Sequence, residues 1–188
     1  DTKESLNELL DEAMDADMVL TSAGVSRGDY DVVKEVLVAR GHIAIHSVRM
    51  KPARPLAFGA FPVSPERTVP HLGLPGNPVA VAVSLELFVR PAINRMAGCG
   101  DVERPTVQAT LDAPISNSDG RRVYARVIVY RSEDGKGYRA RPSGGQGSGV
   151  LTTMARANGL AICPEESTGL KAGDTATVML LDWAQPTP

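Results

Sequence analysis

Cysteine is scarce in this sequence: Cys99 and Cys163 are the only two among 188 residues. They lie far apart and match no CxxC or Cys/His ligand spacing. That excludes a disulfide-stapled fold and a zinc site built on paired thiols, and it leaves two free thiols of the kind found in a reducing compartment. Long apolar runs are missing as well, and none approaches the ~20 residues that a membrane helix needs. The polar opening Asp1-Thr2-Lys3-Glu4-Ser5-Leu6 lacks the apolar core of a signal peptide, and there is no initiator Met. We read the chain as part of something longer and as cytoplasmic. Neither sign of charge dominates: the formal net charge of -2 argues against holding nucleic acid by phosphate neutralisation alone. A local basic pocket stays compatible with it, because net charge says nothing about clustering. His42, His46 and His71 show no metal spacing, and we assign them no role.

What is present is ordinary for a globular chain, with 43% hydrophobic and 22% charged residues, enough for one large or two small domains. Leu6, Leu9, Leu10, Ala13 and Met14 recur at helical spacing, with Asp1 or Thr2 placed to cap the helix. A short apolar run at 18–20 leads into a turn of small residues at 21–26. A second helix is predicted over 32–40, stopped by Gly41 in the C′ position. Strands are predicted at 43–50, 56–61 and 69–74, then a long helix over 78–96 in which Pro91 marks a kink or break. This alternation predicts an α/β class: a layered domain over residues 1–98, a mostly parallel sheet flanked by helices. After Gly98 the pattern changes. Short strands at 105–113, 122–131, 138–141, 160–163 and 175–181, with one short helix at 152–157, predict a small all-β, barrel-like domain over 104–188. On the second of these strands, Val123, Ala125, Val127 and Val129 alternate onto one face.

Four segments could carry chemistry. In the turn Ser22-Ala23-Gly24-Val25-Ser26-Arg27-Gly28, small residues let a ligand approach backbone N–H groups closely, although a plain β–α turn has the same composition. In Gly73-Leu74-Pro75-Gly76-Asn77-Pro78-Val79, at a strand end, Asn77 is placed as N-cap and Pro78 as the first helical residue. The free N–H groups of that turn suit an anion, and a simply well-capped helix is the alternative. In Lys51-Pro52-Ala53-Arg54-Pro55, prolines stiffen a turn bearing two cations, which lowers the entropy lost when an oxyanion binds. Asp29 and Asp31, beside the first turn, are carboxylates of the kind that hold Mg²⁺, or else cap the following helix. In the β-rich half, Arg121, Arg122 and Arg126 precede or line a strand. The run Ser143-Gly144-Gly145-Gln146-Gly147-Ser148-Gly149 offers hydroxyl and N–H groups that an oxyanion could use.

In this order the motifs resemble the molybdopterin molybdenumtransferase family: bacterial MoeA-type proteins, their plant counterparts and the E domain of gephyrin. The family's TSGGVS-x-G, followed by an acidic residue and DY, is matched by residues 21–31. Its KPGKP is matched by residues 51–55 and its GLPGNPVS by residues 73–80. A T-G-x-Q-x-S pattern followed by ANGL is matched by residues 143–148 and 157–160. The likeness covers nearly the whole chain, and GLPGNPV with the K-P-x-[KR]-P turn is specific in combination.

The resemblance implies most of a molybdopterin-binding α/β domain, then a C-terminal β-barrel domain, with two N-terminal domains and a first strand lying outside the sequence. It implies insertion of molybdate into adenylylated molybdopterin with Mg²⁺-dependent release of AMP, by a homodimer, with no nucleic acid and no membrane. Carried over by position, Asp31 and Asp1 are the acids implied for Mg²⁺ or the attacking water, and Lys51 and Arg54 the cations for the oxyanion. Arg121 and Ser148 are implied at the molybdate site. Ser22, Gly24, Val25, Ser26 and Gly28, with Pro75, Gly76, Asn77 and Pro78, are expected at the substrate. The sequence departs from the pattern at Ala23 for Gly, Arg54 for Lys, Ala80 for Ser, and at Ser143 and Gly145 in the last loop. Two other readings share much of this pattern: a molybdopterin adenylyltransferase, which generally lacks the β-rich half, and a scaffold that keeps the fold for partner binding.

Overall fold

The computed structural model describes residues 2–25, 32–147 and 149–181. The chain divides into two compact units, residues 1–48 with 53–84 and residues 49–52 with 85–188.

In the first unit, α1 (Lys3–Ala13) starts at Thr2, whose side chain accepts the Ser5 N–H at 3.2 Å, the N-cap arrangement that satisfies an orphan amide. Leu10 is buried, with Leu6, Ala13 and Met14 packed beside it, whereas Leu9 is exposed. At about 100° per residue, Leu9 sits at the edge of the stripe centred between Leu6 and Leu10. Strand β1 (Val19–Ser22), helix α2 (Val32–Arg40) and strand β2 (His42–Ser47) follow. Arg40, in the last turn of α2, bonds Asn7 O at 2.9 Å and pairs with Asp11, tying α2 to α1. Gly41 follows the helix as expected, but for another reason. Its φ is not among the positive ones. A Cβ there would meet Ala60 O and Phe61 Cδ1 at 2.8 Å, so glycine serves close packing.

After β3 (Met50–Lys51), which belongs to the second unit, β4 (Pro55–Ser64) and β5 (Arg67–Leu74) form a hairpin. The first unit's sheet runs β1-β5-β4-β2. Only β1 and β5 are parallel; β4–β5 and β2–β4 are antiparallel. The expected mostly parallel sheet is therefore corrected to a mixed one. The physical reason is loop length: the two-residue connection from Ser64 to Arg67 can only reverse the chain, whereas a parallel neighbour needs a crossover of about a dozen residues. Phe61, Val69, Val36, Leu37 and Leu10 are core residues between this sheet and the helices.

Helix α3 (Pro78–Ser84) closes the first unit. In the second unit a π-helical stretch (Leu85–Val89) precedes α4 (Arg90–Met96). The chain is helical over the whole span predicted, and the π turn ends two residues before Pro91, where a ring without an N–H cannot continue the regular ladder. Strands β6 (Thr106–Leu111), β7 (Ile115–Ser116), β8 (Arg122–Arg131), β9 (Tyr138–Pro142), helix α5 (Leu151–Arg156), β10 (Gly159–Cys163), β11 (Gly169–Leu170) and β12 (Thr175–Leu180) complete the chain. The pairing β10-β12-β6-β9-β8 returns from β8 to β10, closing a five-stranded barrel, and β3 adds beside β8. Few strands make a narrow interior, and it is filled by small or β-branched side chains: Ala109, Ala125, Val127, Val129, Ala161 and Val178. Cys163 is a buried free thiol within it and Cys99 an exposed one.

Candidate functional site

In the first unit, two of the motif turns stand together. Ser22 pairs with Leu74 at the end of the parallel β1–β5 ladder, and the Ala23 N–H donates to Leu74 O at 3.0 Å. A Cβ on Gly76 would lie 3.3 Å from that of Ala23. Ser22 and Gly24 thus sit beside Pro75, Gly76, Asn77 and Pro78 at the C-terminal edge of the two parallel strands, the place where α/β sheets present ligand-binding loops. Gly24 has φ 76°, and a Cβ there would collide with Val33 Cγ1 at 2.3 Å, so only glycine fits. Val25 is 1% exposed and packs as a core residue. At the start of α3 the Asn77 side chain accepts the N–H groups of Val79 and Ala80 at 3.1 and 3.3 Å. It is the N-cap expected, and it occupies the amides that an anion would otherwise use. Ser26, Gly28 and Asp31, like Asp29, Asp1 and Ser148, lie outside the described residues.

Arg54 also belongs to the first unit. Its Nε donates to Ser47 Oγ at 2.9 Å, and it lines a depression with Lys34, His46 and Ser47. Lys51 belongs to the second unit, where it lines a cavity of that unit. Within that turn the Lys51–Pro52 peptide is cis and Ala53 has φ 72°.

The second unit holds a cavity of about 610 Å³ whose lining includes Lys51, Tyr124, Arg121, Arg126, Gln146 and Gly147. Lys51 reaches it from β3, held in register against Val123 of β8. Arg121 precedes β8, with Nη1 on Met50 O at 3.4 Å and Nη2 on the Asp119 carboxylate. Lys51 Nζ is 4.0 Å from the same carboxylate. Arg121 and, less strongly, Lys51 hold the Asp119 carboxyl below its usual range.

Arg126, expected only as one of three arginines near the glycine-rich run, is the most deeply placed of these cations, at 1% exposed. Its Nε donates to Thr153 Oγ1 at 2.9 Å, and its Nη2 donates to Gly145 O and Gly147 O at 3.1 and 3.0 Å. Gln146 returns the grip, accepting the Arg126 N–H at 2.9 Å and donating to Arg126 O at 3.0 Å. Ser143 Oγ donates to Thr153 O at 2.7 Å. The glycine-rich run is thus a fixed cradle wrapped around a guanidinium. No carboxylate pairs with Arg126 among the described residues, and burial pulls its pKa below the ordinary arginine value. A buried cation compensated only by neutral dipoles is costly, and an anion bound in the adjoining cavity would offset that cost. The signal was legible: Arg126 interrupts a strand whose residues from 123 to 129 are otherwise apolar or aromatic. Among the described residues no three His, Cys, Asp or Glu side chains gather as a metal site.

Comparison with known proteins finds one family match in each half of the sequence, with bounds that differ from those of the two compact units. Residues 1–95 match a family described as probable molybdopterin binding domain, and residues 108–181 match the MoeA C-terminal region, domain IV. A molybdopterin molybdenumtransferase from Nostoc sp. is 35% identical over 96% of this chain, covering 42% of its own length. Molybdopterin molybdenumtransferase 2 from Mycobacterium tuberculosis is 34% identical over 86% of this chain and 39% of its own. The chain therefore spans about two fifths of the length of these curated relatives. Among solved structures, the molybdopterin biosynthesis MoeA protein from Pyrococcus horikoshii superposes with a TM-score of 0.75 at 27% identity, covering 97% of this chain and 42% of that one. With a molybdopterin-binding domain followed by a MoeA C-terminal barrel, the chain belongs to the MoeA family of molybdenum cofactor biosynthesis proteins.

Proposed function

We propose that this chain carries the molybdopterin-binding and oxyanion-binding parts of a molybdopterin molybdenumtransferase, which moves molybdate onto adenylylated molybdopterin and releases AMP. One observation carries the reading: a cavity lined by Lys51, Arg121 and Arg126, in which Arg126 is buried with no carboxylate partner among the described residues. Molybdate is a tetrahedral dianion, and charge-assisted donors are the natural means of holding it. Arg126 contributes a fixed positive field and a preformed loop; Lys51 and Arg121 contribute charge at the cavity edge. The paired turns at Ser22–Val25 and Pro75–Pro78 are the proposed seat of the pterin substrate, on a strand-end surface of small residues. Arg54 is proposed to bind an anionic part of that substrate, with Lys34 and His46 beside it.

Mg²⁺ is proposed on Asp31 and Asp1, and an oxyanion contact on Ser148, in each case on the sequence pattern alone. A homodimer in the cytoplasm is proposed on the same ground; no described helix is long and apolar enough to cross a membrane. The adenylyltransferase reading is not favoured, because residues 108–181 form the MoeA C-terminal region that it generally lacks.

The test is calorimetric titration of the chain with molybdate. Lys51→Ala and Arg121→Ala, folded by circular dichroism, are each expected to weaken binding about tenfold or more, the scale of one lost hydrogen bond to a charged group. An insertion assay on Arg54→Ala should show lost cofactor formation. Unchanged binding and insertion in all three would leave the scaffold reading in its place.

A further inference from the structure

Lys51 and Arg121 differ from Arg126 in one respect: a carboxylate already stands on them. Asp119 is hydrogen-bonded to Arg121 Nη2 and lies 4.0 Å from Lys51 Nζ. We propose that Asp119 is a built-in competitor for the oxyanion, occupying a donor of Arg121 and screening the charge of Lys51 until a more highly charged anion displaces it. This rests on the reading of the cavity as an oxyanion site.

The geometry around Asp119 suits displacement of the side chain alone. The turn that carries it is pinned on both sides. Asn117 is buried, donates to Pro164 O at 3.0 Å and takes backbone support from Thr168 O at 3.2 Å. Gly120 O accepts from Arg49 Nη2 at 3.0 Å. Between these anchors the Asp119 side chain is about one third exposed, 34%. Its carboxylate can therefore leave for water by rotation about its own bonds while the backbone stays in place. Arg121 would remain placed through its bond to Met50 O. The two cations then serve alternately a resident carboxylate and an incoming tetrahedral anion, and a monoanion has no charge advantage over the group it must remove. Asp119 thereby sets both the affinity and the charge preference of the cavity edge, while Arg126 supplies a field that no carboxylate quenches among the described residues.

The experiment is calorimetric titration of the chain with molybdate, comparing wild type with Asp119→Asn and Asp119→Ala. Glu133→Gln, exposed and remote in sequence, is the control for a general change in net charge. Both Asp119 variants are expected to bind about two- to fivefold more tightly, the range for removing one solvent-screened competing charge, with Glu133→Gln like wild type. Equal or weaker binding in the folded Asp119 variants overturns the proposal, and so does an equal gain in Glu133→Gln. If wild-type binding is lost in Lys51→Ala yet indifferent to Asp119, only the competitor fails. If neither wild type nor any variant binds molybdate, the oxyanion reading of the cavity falls, and this proposal with it.

Discussion

Two alanines have φ values of 75° and 72°, Ala23 and Ala53, in the left-handed region that disfavours any residue with a Cβ. Both stand where the family pattern has glycine, in the second small position of TSGGVS and the centre of KPGKP. The backbone of both turns thus has the conformation that glycine adopts most readily. The two sites differ in burial: Ala23 is exposed, whereas Ala53 is 6% exposed. Glycine at either position relieves roughly 1–2 kcal/mol of left-handed strain but loses roughly 0.4–1 kcal/mol through greater freedom of the unfolded chain. At Ala53 a buried methyl worth about 0.8 kcal/mol is lost as well. Ala23→Gly is therefore expected to stabilise the first unit by about 0.5–1 kcal/mol, and Ala53→Gly to be close to neutral. Urea unfolding followed by far-UV circular dichroism measures both. A destabilised Ala23→Gly would show that the turn is held by contacts of its methyl group.

Asn158 shows how a short motif builds an element. Its side chain accepts the Val129 N–H at 2.6 Å and donates to Val129 O at 2.9 Å, extending the β8–β10 ladder by one pair just where β10 begins. Next to it, a Cβ on Gly159 would meet Val129 Cγ2 at 2.7 Å and Val178 Cγ1 at 2.8 Å, so the strand can approach only with glycine there. The Ala157-Asn158-Gly159-Leu160 motif therefore closes the barrel and does not line the cavity beside Arg126. Asn158→Ala strands two polar groups of Val129, itself 2% exposed, and is expected to cost about 2–4 kcal/mol. Denaturant unfolding of the variant measures this; a cost below about 1 kcal/mol would mean that water replaces the amide. Elements of this kind were readable in the sequence because their signals are local. Val123, Ala125, Val127 and Val129 alternate, Asn77 precedes Pro78, and Thr2 precedes an amphipathic run. Strand direction was not readable, since β4 and β5 differ from a crossover pair only in the length of the link after Ser64. Arg126 stands out in its strand, but its cradle was not readable, because the partners come from residues 17 to 27 positions further along the chain.

The whole molecule divides its titratable groups unequally. All three histidines, His42, His46 and His71, lie in the first unit, and the second has none. His71 is fully buried on β5. Its ring stands edge-on to Phe61 at 5.3 Å, its Nε2 is 3.0 Å from Thr21 Oγ1, and its Nδ1 has no partner among the described residues. Burial lowers its pKa from 6.5 to about 4, so the folded unit binds this proton less readily than the unfolded chain. Stability is then complete above pH 6.5, falls as the pH drops towards 4, and loses nothing further from this group below that. At pH 5 the loss is about 2 kcal/mol. In the second unit the sign is the same but the cause and the pH window differ. Arg121 holds Asp119 below its usual value, and Glu86, which burial alone would raise, is brought below its own by Arg104 and Arg90. Stability from such carboxylates is present above their ordinary range, near 4, and is lost only as the pH falls beneath it. Between pH 6.5 and 5 the first unit should therefore loosen while the second keeps its protection. Hydrogen exchange read peptide by peptide at pH 6.5 and 5, corrected for the intrinsic rate, measures the difference. His71→Phe, which cannot titrate, should remove the slope from β1, β4 and β5. Equal loss of protection in both units, or a slope that survives in the folded variant, would show that another group governs the acid response.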